Sequence, residues 1–561
     1  MNDDLPNRFP HSGAKIRSGT GAVASTLLAG LLATIAPRTQ SLTARGFEGM
    51  EEPRTVPETS EWKRTSTHED VLAFLQKLDD LPHGKRLRRH VIGKSSEGRD
   101  LVLVTASREP LPAEQSERTA AVKKSGLLRL FVNANIHAGE VEGKEAVQIL
   151  LREIAHGGHE ELLEQAVLFF VPVYNPDGND RIDRKNRVEQ NGPDGGVGTR
   201  HTAEDYDLNR DFIKVDTPEC VALLRCIADV DPDVLMDLHT TNGSAHGYEL
   251  TYAPSLAVNV DDALRDFTRN VFLKEIRAAM ARDHRFHVFD YGNFVRGKPE
   301  NGWVTYDHRP RFGTNYFGLR NRIAVLSEAY SYDSFPVRTA ATRAFVVETL
   351  HAAVRHRAEI RELANAADEQ CKNRAVSFRY DSELEAPVVD EVLLGQLEHE
   401  EIEGIGRRSK RVPGVEPVKI PTRVAFVAKK SVPLPLAWVI EKPSLRLRFF
   451  LVAHGIEHRF LDAPEEHDIR DFAMTSTKKS RRAFEKHHER TVEGAWSEGA
   501  HEATVPAGAV WIPANQRLAR VAAQLLEPLS EDSLTTWNAF DDEIEAAMQS
   551  AKVHPVHAVV R

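Results

Sequence analysis

The sequence has little of three features that mark large classes of protein. Only 3 of its 561 residues are cysteine, and Cys220 and Cys226 lie on different faces of a predicted helix, so a fold built on disulfides is not expected. No segment approaches the roughly twenty consecutive apolar residues of a membrane-spanning helix. The 73 basic residues do not exceed the 83 acidic ones, and the net charge of -10 argues against a nucleic-acid partner.

The N-terminus has the pattern of a secretory leader. Arg8, Lys15 and Arg17 precede an apolar run of small residues, GAVASTLLAGLLATIA, at 21–36. We therefore predict that residues 1–55 are a signal peptide followed by a linker, and that the protein is secreted or periplasmic. If the apolar run is instead part of a disordered leader, the protein is expected in the cytoplasm.

From about residue 60, strand patterns alternate with helical ones. The strand patterns include GLLRLFVNANI, AVLFFVPVYN, VLMDLH and NRIAVLSEAY. Helical spacing occurs in THEDVLAFLQKLDDL, with Thr67 as its cap, in TPECVALLRCIADV, and from about Arg338 to Ala366. This order predicts an α/β domain over residues 60–372, with a mixed central sheet flanked by helices. In such sheets the chemistry lies at the carboxyl ends of the strands.

Beyond about residue 375 the pattern changes to short strands, such as TRVAFVAKK and LAWVIE, and a few helical segments. We predict a smaller C-terminal accessory domain over residues 385–561, of α+β or β-rich type. His454 and His458 in AHGIEHRF are interpreted as structural because no other ligand residues accompany them. The composition of this region does not predict its role.

Three residues have the chemistry of a catalytic zinc site. His137 and Glu140 form a His-x-x-Glu motif where a strand turns into a helix, and His239 closes the apolar strand VLMDLH. Two histidines and a glutamate, with a fourth position left for water, are a usual ligand set for catalytic Zn²⁺. Asp237 or a backbone carbonyl is expected to orient the second nitrogen of His239.

These ligands and their strands resemble the zinc metallocarboxypeptidase family, whose members are similar to carboxypeptidase A, over roughly residues 65–370. The resemblance implies one Zn²⁺ per chain on the three ligands. In the family, an Asn-Pro-Asp-Gly turn precedes an arginine that polarises the scissile carbonyl; here the turn is NPDG at 175–178, and the role falls on Arg184, with Asp183 in place of the family's tryptophan. Glu328, in AVLSEAY, stands where the family has its general base.

Substrate-binding residues follow from the same resemblance. Asn209 and Arg210, in YDLNRDF, match the family's pair that binds the terminal carboxylate of a peptide. A guanidinium can bind a carboxylate through two parallel hydrogen bonds. Tyr306 lies 22 residues before Glu328 and matches the family's mobile, substrate-closing tyrosine, with Tyr316 as the alternative if the loop differs in length.

The pocket for the terminal side chain of the substrate is less well defined. In the family a residue 15 positions before the glutamate lines this pocket, and the ungapped match is Gly313. Glycine supplies no charge. The nearby Arg309 and Arg311 would favour acidic terminal residues, whereas the alternative is that the segment RPRF is a solvated loop.

The resemblance implies a metallocarboxypeptidase that hydrolyses the C-terminal bond of peptides or proteins, with metal-activated water and Glu328 as general base. A deacylase or amidase acting on N-acyl amino acids or cell-wall peptides is the alternative, because the Asn209-Arg210 pair fits any carboxylate next to the cleaved bond. A catalytically silent binding protein is disfavoured, since the three ligands and Glu328 are all present. The sequence predicts no oligomeric state.

Overall fold

A computed structural model describes residues 52–241 and 243–560. The predicted signal peptide lies outside these residues. Within the described ranges, no helix has the length and apolar character needed to cross a membrane. Cys220, Cys226 and Cys371 are buried free thiols, as the spacing of the first two predicted.

The strands of the first part of the chain are β1 (Leu87–Lys94), β2 (Asp100–Ala106), β3 (Leu128–Ala134), β4 (Ala166–Val171), β5 (Val234–Thr241), β6 (Leu250–Pro254), β7 (Val288–Asp290), β8 (Asn293–Phe294), β9 (Trp303–Val304) and β10 (Ile323–Tyr330). Eight of them form one sheet in the order β1-β2-β4-β3-β5-β10-β6-β7. The central strands β4, β3, β5 and β10 are parallel, while β1, β2 and β6 join through antiparallel pairs. The predicted α/β fold with a mixed central sheet is confirmed.

Helices cover this sheet: α1 (Val56–Thr59), α2 (His68–Lys77), α3 (Gln115–Ser125), α4 (Glu142–Ala155), α5 (Glu160–Leu163), α6 (Pro176–Asp180), α7 (Pro218–Val230), α8 (Asp262–Phe267), α9 (Leu273–Ala279), α10 (Gly313–Gly318), α11 (Phe335–Arg355) and α12 (Arg357–Lys372). Thr67 caps α2 as predicted, since its side chain accepts a hydrogen bond from the Asp70 amide. The single helix predicted from Arg338 to Ala366 is instead two helices. They separate at His356, whose backbone leaves helical geometry.

Close packing of α4 on the sheet sets the position of the loop before it. A side chain at Gly143 would meet Leu238 of β5, because an added Cβ would lie 2.9 Å from the Leu238 Cβ. Glycine therefore lets the start of the helix approach the strand. This approach holds the segment between β3 and α4, which carries His137 and Glu140, against the carboxyl end of β5.

The C-terminal region is rich in strands, as predicted. Its elements are β11 (Ser377–Leu384), β12 (Val388–Ile402), β13 (Gly406–Arg423), β14 (Phe426–Pro433), β15 (Ala437–Ile440), α13 (Leu445–His454), β16 (Arg459–Phe460), β17 (Glu465–Arg470), β18 (Phe472–Lys479), β19 (Arg490–Trp496), β20 (His501–Val505), β21 (Val510–Pro513), α14 (Ala519–Leu526), α15 (Asp541–Met548) and β22 (His557–Val559). Six strands form a sheet in the order β16-β21-β15-β22-β17-β20. Strands β12 and β13 form a long hairpin that joins β9 and β8.

One apolar core runs through both regions. Phe212 and Tyr316, beside the central sheet, belong to the same buried cluster as Trp438 and Trp537 of the C-terminal region. Residues 53–561 accordingly form one compact unit. The division into domains at 60–372 and 385–561 stays a prediction.

The register of the parallel strands aligns the residues of the site. In the pairing of β5 with β10, His239 and Glu328 are direct partners. In the pairing of β3 with β5, Asn133 is the partner of Asp237, and its side-chain amide donates to an Asp237 oxygen at 3.0 Å. Two strand ends and the loop after a third therefore meet at one point of the sheet edge.

Candidate metal and catalytic site

His137, Glu140 and His239 converge at the carboxyl ends of β3 and β5. Glu140 Oε1 lies 3.1 Å from His137 Nδ1, Glu140 Oε2 lies 3.1 Å from His239 Nδ1, and the two Nδ1 atoms are 3.2 Å apart. All three side chains are buried. The three residues that the sequence suggested as ligands thus present one atom each to a common point.

A carboxylate holds the outer nitrogen of each imidazole. His137 Nε2 lies 2.9 Å from Asp207 Oδ1, and His239 Nε2 lies 3.0 Å from Asp237 Oδ2. Because an ionised carboxylate only accepts hydrogen bonds, this network assigns the ring protons to Nε2 and leaves the Nδ1 lone pairs facing inward. Such carboxylate–histidine pairs are typical around protein-bound zinc.

The inward-facing donors fit a Zn²⁺ ion. Two nitrogen lone pairs and a carboxylate facing one another repel unless a cation or a proton lies between them. Tetrahedral zinc with bonds of about 2.0–2.1 Å sets its ligand atoms about 3.3–3.4 Å apart, close to the 3.1–3.2 Å separations seen here. In the protein without metal, burial disfavours the charged imidazole, yet Asp237 and Glu140 raise the pKa of His239 well above its usual range. A proton thus takes part of the place of the cation.

Glu328 faces this group from the neighbouring strand, directly opposite His239, and is partly exposed. Burial raises the pKa of Glu328 to about 8, and the charge of Glu140 adds to this, while His239, Arg187 and Arg200 oppose it. A cation on the three ligands would lower this pKa, because a nearby positive charge favours the carboxylate. The position suits a proton acceptor beside the metal position rather than a fourth ligand.

The predicted carboxylate-binding pair is linked to the metal ligands through Asp207. Asp207 Oδ1 accepts a hydrogen bond from the backbone N–H of Asn209 at 2.9 Å and another from His137 Nε2. The Asn209 side-chain oxygen accepts the Gly313 amide at 2.8 Å. The guanidinium of Arg210 stacks on the Phe312 ring at 3.9 Å and donates to the Asn209 carbonyl oxygen at 2.8 Å.

The two candidate tyrosines have different surroundings. Tyr316 is fully buried, and its hydroxyl donates to His454 Nδ1 at 2.8 Å, so it belongs to the core. Tyr306 is partly exposed and donates to Asn315 Oδ1 at 3.3 Å. Burial, with the charge of Glu328, raises the pKa of Tyr306 well above its usual range. Its ring packs edge-on against Tyr291, at 5.5 Å between ring centroids, and no pattern in the sequence predicts this neighbour.

Arg184 is not among the residues that the structure brings to the ligands, and its catalytic role stays a prediction. Its side chain is exposed and lines a shallow cavity with Asp194 and Arg408. Arg187 and Arg200 reach the ligands instead. The bridge between Asp183 and Val197 turns the loop at this point, so that the third arginine of DRIDRKNR points inward rather than the second.

The two arginines at the site differ in how many donors remain free. Arg187 donates to Glu140 at 3.0 Å, and its other nitrogens bond Gln190, Ser331 and the carbonyls of 240 and 241. Arg200 bonds Asp207 through Nε at 2.9 Å and Nη2 at 2.8 Å, and its Nη1 lies 3.7 Å from Glu140. The Arg200 side chain is 37% exposed, against 17% for Arg187. All three nitrogens of Arg187 are thus engaged within the protein, whereas Nη1 of Arg200 has no acceptor within 3.5 Å among the residues that the structure describes and can donate to a ligand.

The preference for acidic terminal residues also stays a prediction, and the two arginines on which it rests are paired within the protein. Arg309 is held by Asp307 at 2.8 Å, and Arg311 is buried between Glu489 at 2.8 Å and Asp532 at 3.1 Å. Both charges are therefore neutralised within the protein. Gly313 does lie beside the site, since an added Cβ there would be 3.4 Å from Asp237 Oδ2, the oxygen that contacts His239.

The C-terminal region contributes to the same loop. The Asp207 amide donates to Glu485 Oε2 at 3.0 Å, and Lys486 lies over the Tyr206 ring at 3.8 Å. Among the residues that sequence reasoning missed, Asp207 had a local signal, because it precedes Asn209 by two positions. Glu485 had none, since it is 278 residues away from Asp207 in the chain.

Comparison with known proteins connects this geometry to a family. Residues 71–225 match the family profile described as zinc carboxypeptidase. Carboxypeptidase 2 of Trichophyton rubrum is 23% identical over 194 residues, which is 33% of this chain and 32% of that protein. Carboxypeptidase Z of Mus musculus is 33% identical over 131 residues, or 22% of this chain and 18% of that protein.

The chain therefore spans at most about a third of the length of these curated relatives. Among solved structures, a metallo-carboxypeptidase from Burkholderia cenocepacia is similar with a TM-score of 0.38 and 17% identity, covering 52% of this chain and 70% of that one. The profile match includes His137, Glu140, Asn209 and Arg210, while His239 and Glu328 follow it in the chain. Residues 71–225 are thus similar to the zinc carboxypeptidase family.

Proposed function

We propose that this protein is a zinc-dependent metallocarboxypeptidase that removes C-terminal residues from peptides or proteins. The observation that carries the proposal is the buried His137–Glu140–His239 cluster with Glu328 directly opposite His239. His137, Glu140 and His239 would hold the Zn²⁺. When bound, Zn²⁺ supplies Lewis-acid polarisation of the scissile carbonyl and lowers the pKa of water from 15.7 toward about 7.

The protein's own groups account for the remaining steps. Glu328 takes the proton of the attacking water and later gives it to the leaving amine. Arg200 donates to the carbonyl oxygen as negative charge develops on it, the role that the family resemblance had placed on Arg184. Asn209 and Arg210 bind the terminal carboxylate of the substrate, and Tyr306 closes over it. Asp207 and Asp237 hold the two imidazoles with their Nδ1 atoms inward.

Hydrolysis of blocked dipeptides with free and amidated C-termini tests the proposal. The purified protein would be assayed as isolated, after removal of metal by a chelator, and after addition of Zn²⁺. We expect cleavage of free C-termini only, loss of activity with the chelator, and recovery with Zn²⁺. Cleavage of N-acyl amino acids without cleavage of dipeptides would identify a deacylase, and no hydrolysis at full zinc occupancy would contradict an enzymatic role.

Arg210→Ala tests recognition of the terminal carboxylate. Loss of charge-assisted hydrogen bonds costs about 1.5–3 kcal/mol, so kcat/KM for free C-termini should fall roughly 10- to 150-fold. Arg210→Lys keeps the charge but cannot form two parallel hydrogen bonds, so its kcat/KM should lie between those of wild type and Arg210→Ala. The measurement compares kcat/KM for each variant on free and amidated substrates. An equal loss on both would show that Arg210 does not read the carboxylate.

A further inference from the structure

A second group of metal-binding side chains lies away from the catalytic site. His159, Glu161 and His351 each offer a ligand atom, and these atoms all lie within 4.8 Å of one another. His159 and Glu161 are at the start of α5, and His351 is near the end of α11. The rings of the two histidines are 6.4 Å apart between centroids, and His351 Nε2 is 3.7 Å from Glu161 Oε1.

One histidine of this group is held by a carboxylate, as both histidines of the catalytic site are. His159 Nε2 lies 3.0 Å from Glu153 Oε2, and Glu153 is in turn held by Arg343, whose Nε donates to the carboxylate at 2.7 Å. A carboxylate on Nε2 assigns the proton there and leaves Nδ1 as the donor for a metal, as at His137. Within the described part of the chain, His351 makes no hydrogen bond through either nitrogen, although its side chain is only 27% exposed.

The second group lies at the amino ends of the parallel strands, whereas the catalytic residues lie at their carboxyl ends. Helix α5 directly precedes β4 and so lies at the amino end of that parallel strand, whereas His137, His239 and Glu328 follow carboxyl ends. His351 is 16 residues beyond the start of α11, which is about 24 Å along a helix that begins near the catalytic edge. The two groups are therefore separate sites.

We propose that His159, Glu161 and His351 form a second, surface-accessible site for a divalent transition metal. Two imidazoles and a carboxylate suit Zn²⁺, and also Ni²⁺ or Cu²⁺. Glu161, with its side chain 64% exposed, is free to close the gap to His351. Solvent would complete the coordination, and the ion would link α5 to α11. The site supports structure or metal uptake rather than hydrolysis.

Zinc stoichiometry tests this site with Zn²⁺ itself as the probe. Metal-free full-length protein would be titrated with Zn²⁺ as wild type, His351→Gln and His356→Gln. His356 is the matched control, since it ends the same helix and is flanked by Glu275 and Glu359. We expect His351→Gln to bind one Zn²⁺ fewer than wild type, with hydrolytic activity unchanged, and His356→Gln to bind the wild-type number. Equal stoichiometry in wild type and His351→Gln would overturn the proposal, whatever the occupancy of the catalytic site.

A different observation gives the C-terminal region a role at the catalytic site. Phe484 and His487 close a tight turn through two backbone hydrogen bonds of 2.8 and 2.9 Å, with Glu485 and Lys486 at positive φ between them. This turn holds Glu485 against the Asp207 amide at 3.0 Å. His487 fixes the turn further, through Asp216 at 2.7 Å.

The contact reaches the metal ligands in two steps. Asp207 accepts hydrogen bonds from His137, from the backbone amide of Asn209 and from Arg200. Its position therefore affects one metal ligand and two of the proposed substrate-binding residues, Asn209 and Arg200. We infer that Glu485 is a positioning residue that fixes Asp207 from the C-terminal region. This inference rests on the proposed function for its effect on catalysis, but not for its effect on metal retention.

Release of Zn²⁺ to a chelator, measured without substrate, tests this role. Removing a direct partner of a metal ligand costs 10- to 100-fold in affinity, so a partner one step further out should cost about 3- to 10-fold. Glu485→Ala should release zinc faster by that factor and raise KM more than it lowers kcat. Glu485→Gln retains an oxygen acceptor and should behave like wild type.

Lys486→Ala is the matched control, because it removes the next side chain of the same turn, which lies over Tyr206, and leaves the contact of Glu485 with Asp207 in place. It should release zinc at the wild-type rate. Unchanged release from Glu485→Ala would overturn the inference, and so would equally fast release from Glu485→Ala and Lys486→Ala. Since zinc release is measured without substrate, these release outcomes are independent of whether the protein is a carboxypeptidase.

Discussion

Glu328→Gln is expected to retain zinc and to lose nearly all hydrolysis. The amide cannot accept the proton of the attacking water, and general-base catalysis contributes roughly 10²- to 10⁴-fold to the rate. Glu328 is not one of the three residues whose donor atoms converge, so metal occupancy should not change. Both quantities are measured on one preparation, as kcat on a free-C-terminus dipeptide and as zinc content per chain.

The stability of the metal-free protein separates a catalytic loss from misfolding. The pKa of Glu328 in the folded metal-free protein, about 8, lies above that of an unfolded glutamate. Ionisation of Glu328 therefore reduces stability as pH rises between the two values, and this cost is complete above the folded pKa. Glutamine carries no charge, so metal-free Glu328→Gln should unfold at a temperature no lower than wild type at pH 8.

Glu189→Gln is a suitable control for the same assay. Glu189 contacts the Tyr332 hydroxyl and Arg407 near the loop that carries Arg187, but none of the three ligands. Its removal should leave kcat within about twofold of wild type, as expected for a substitution away from the reacting atoms. A Glu328→Gln enzyme that kept substantial turnover at full zinc occupancy would remove Glu328 from the mechanism.

His137, His239 and Glu328 were predictable because each lies at the end of an apolar strand or just after one. GLLRLFVNANI, VLMDLH and NRIAVLSEAY are long enough to identify as strands, and parallel strands bring their carboxyl ends to one edge. The exact partnership of His239 with Glu328 was not predictable from periodicity, because strand order and register depend on contacts that are distant in the chain. The Asn209-Arg210 pair was placed by a resemblance, and the structure adds its connection to His137 through Asp207.

The side chains that are hardest to assign from the sequence lie in irregular segments. Arg181, Arg184, Arg187 and Arg200 all lie in the polar loop between α6 and α7, where no apolar period shows which side chain turns inward. The choice is made by the Asp183–Val197 bridge and by the positive φ of Arg187, neither of which has a pattern in the sequence. Likewise, the contact that holds Tyr316 in the core beside His454 has no pattern in the sequence, and the role of Tyr306 stays a prediction. Contacts from the C-terminal region, such as that of Glu485 with Asp207, cannot be predicted from local sequence because the two residues are 278 positions apart.

Arg200→Gln is expected to lower kcat by about 10²- to 10³-fold, equivalent to about 2.7–4 kcal/mol, the usual cost of losing one donor to a developing oxyanion. KM should change much less, because that interaction strengthens only as charge builds on the carbonyl oxygen. Arg184→Gln, the matched control from the same loop, should retain wild-type kcat since its side chain is exposed. Steady-state kinetics on one free-C-terminus dipeptide compare the two variants.

Zinc content must be measured with these rates, because Arg200 also bonds Asp207 and thereby supports His137. Arg200→Lys retains a positive charge near the carbonyl and should recover part of the lost kcat, whereas a purely structural role would give no such recovery once zinc occupancy is equal. Arg187→Gln should instead weaken zinc retention, since Arg187 donates directly to Glu140. A large loss of kcat in Arg184→Gln, with Arg200→Gln at the wild-type rate, would restore Arg184 as the carbonyl-polarising residue.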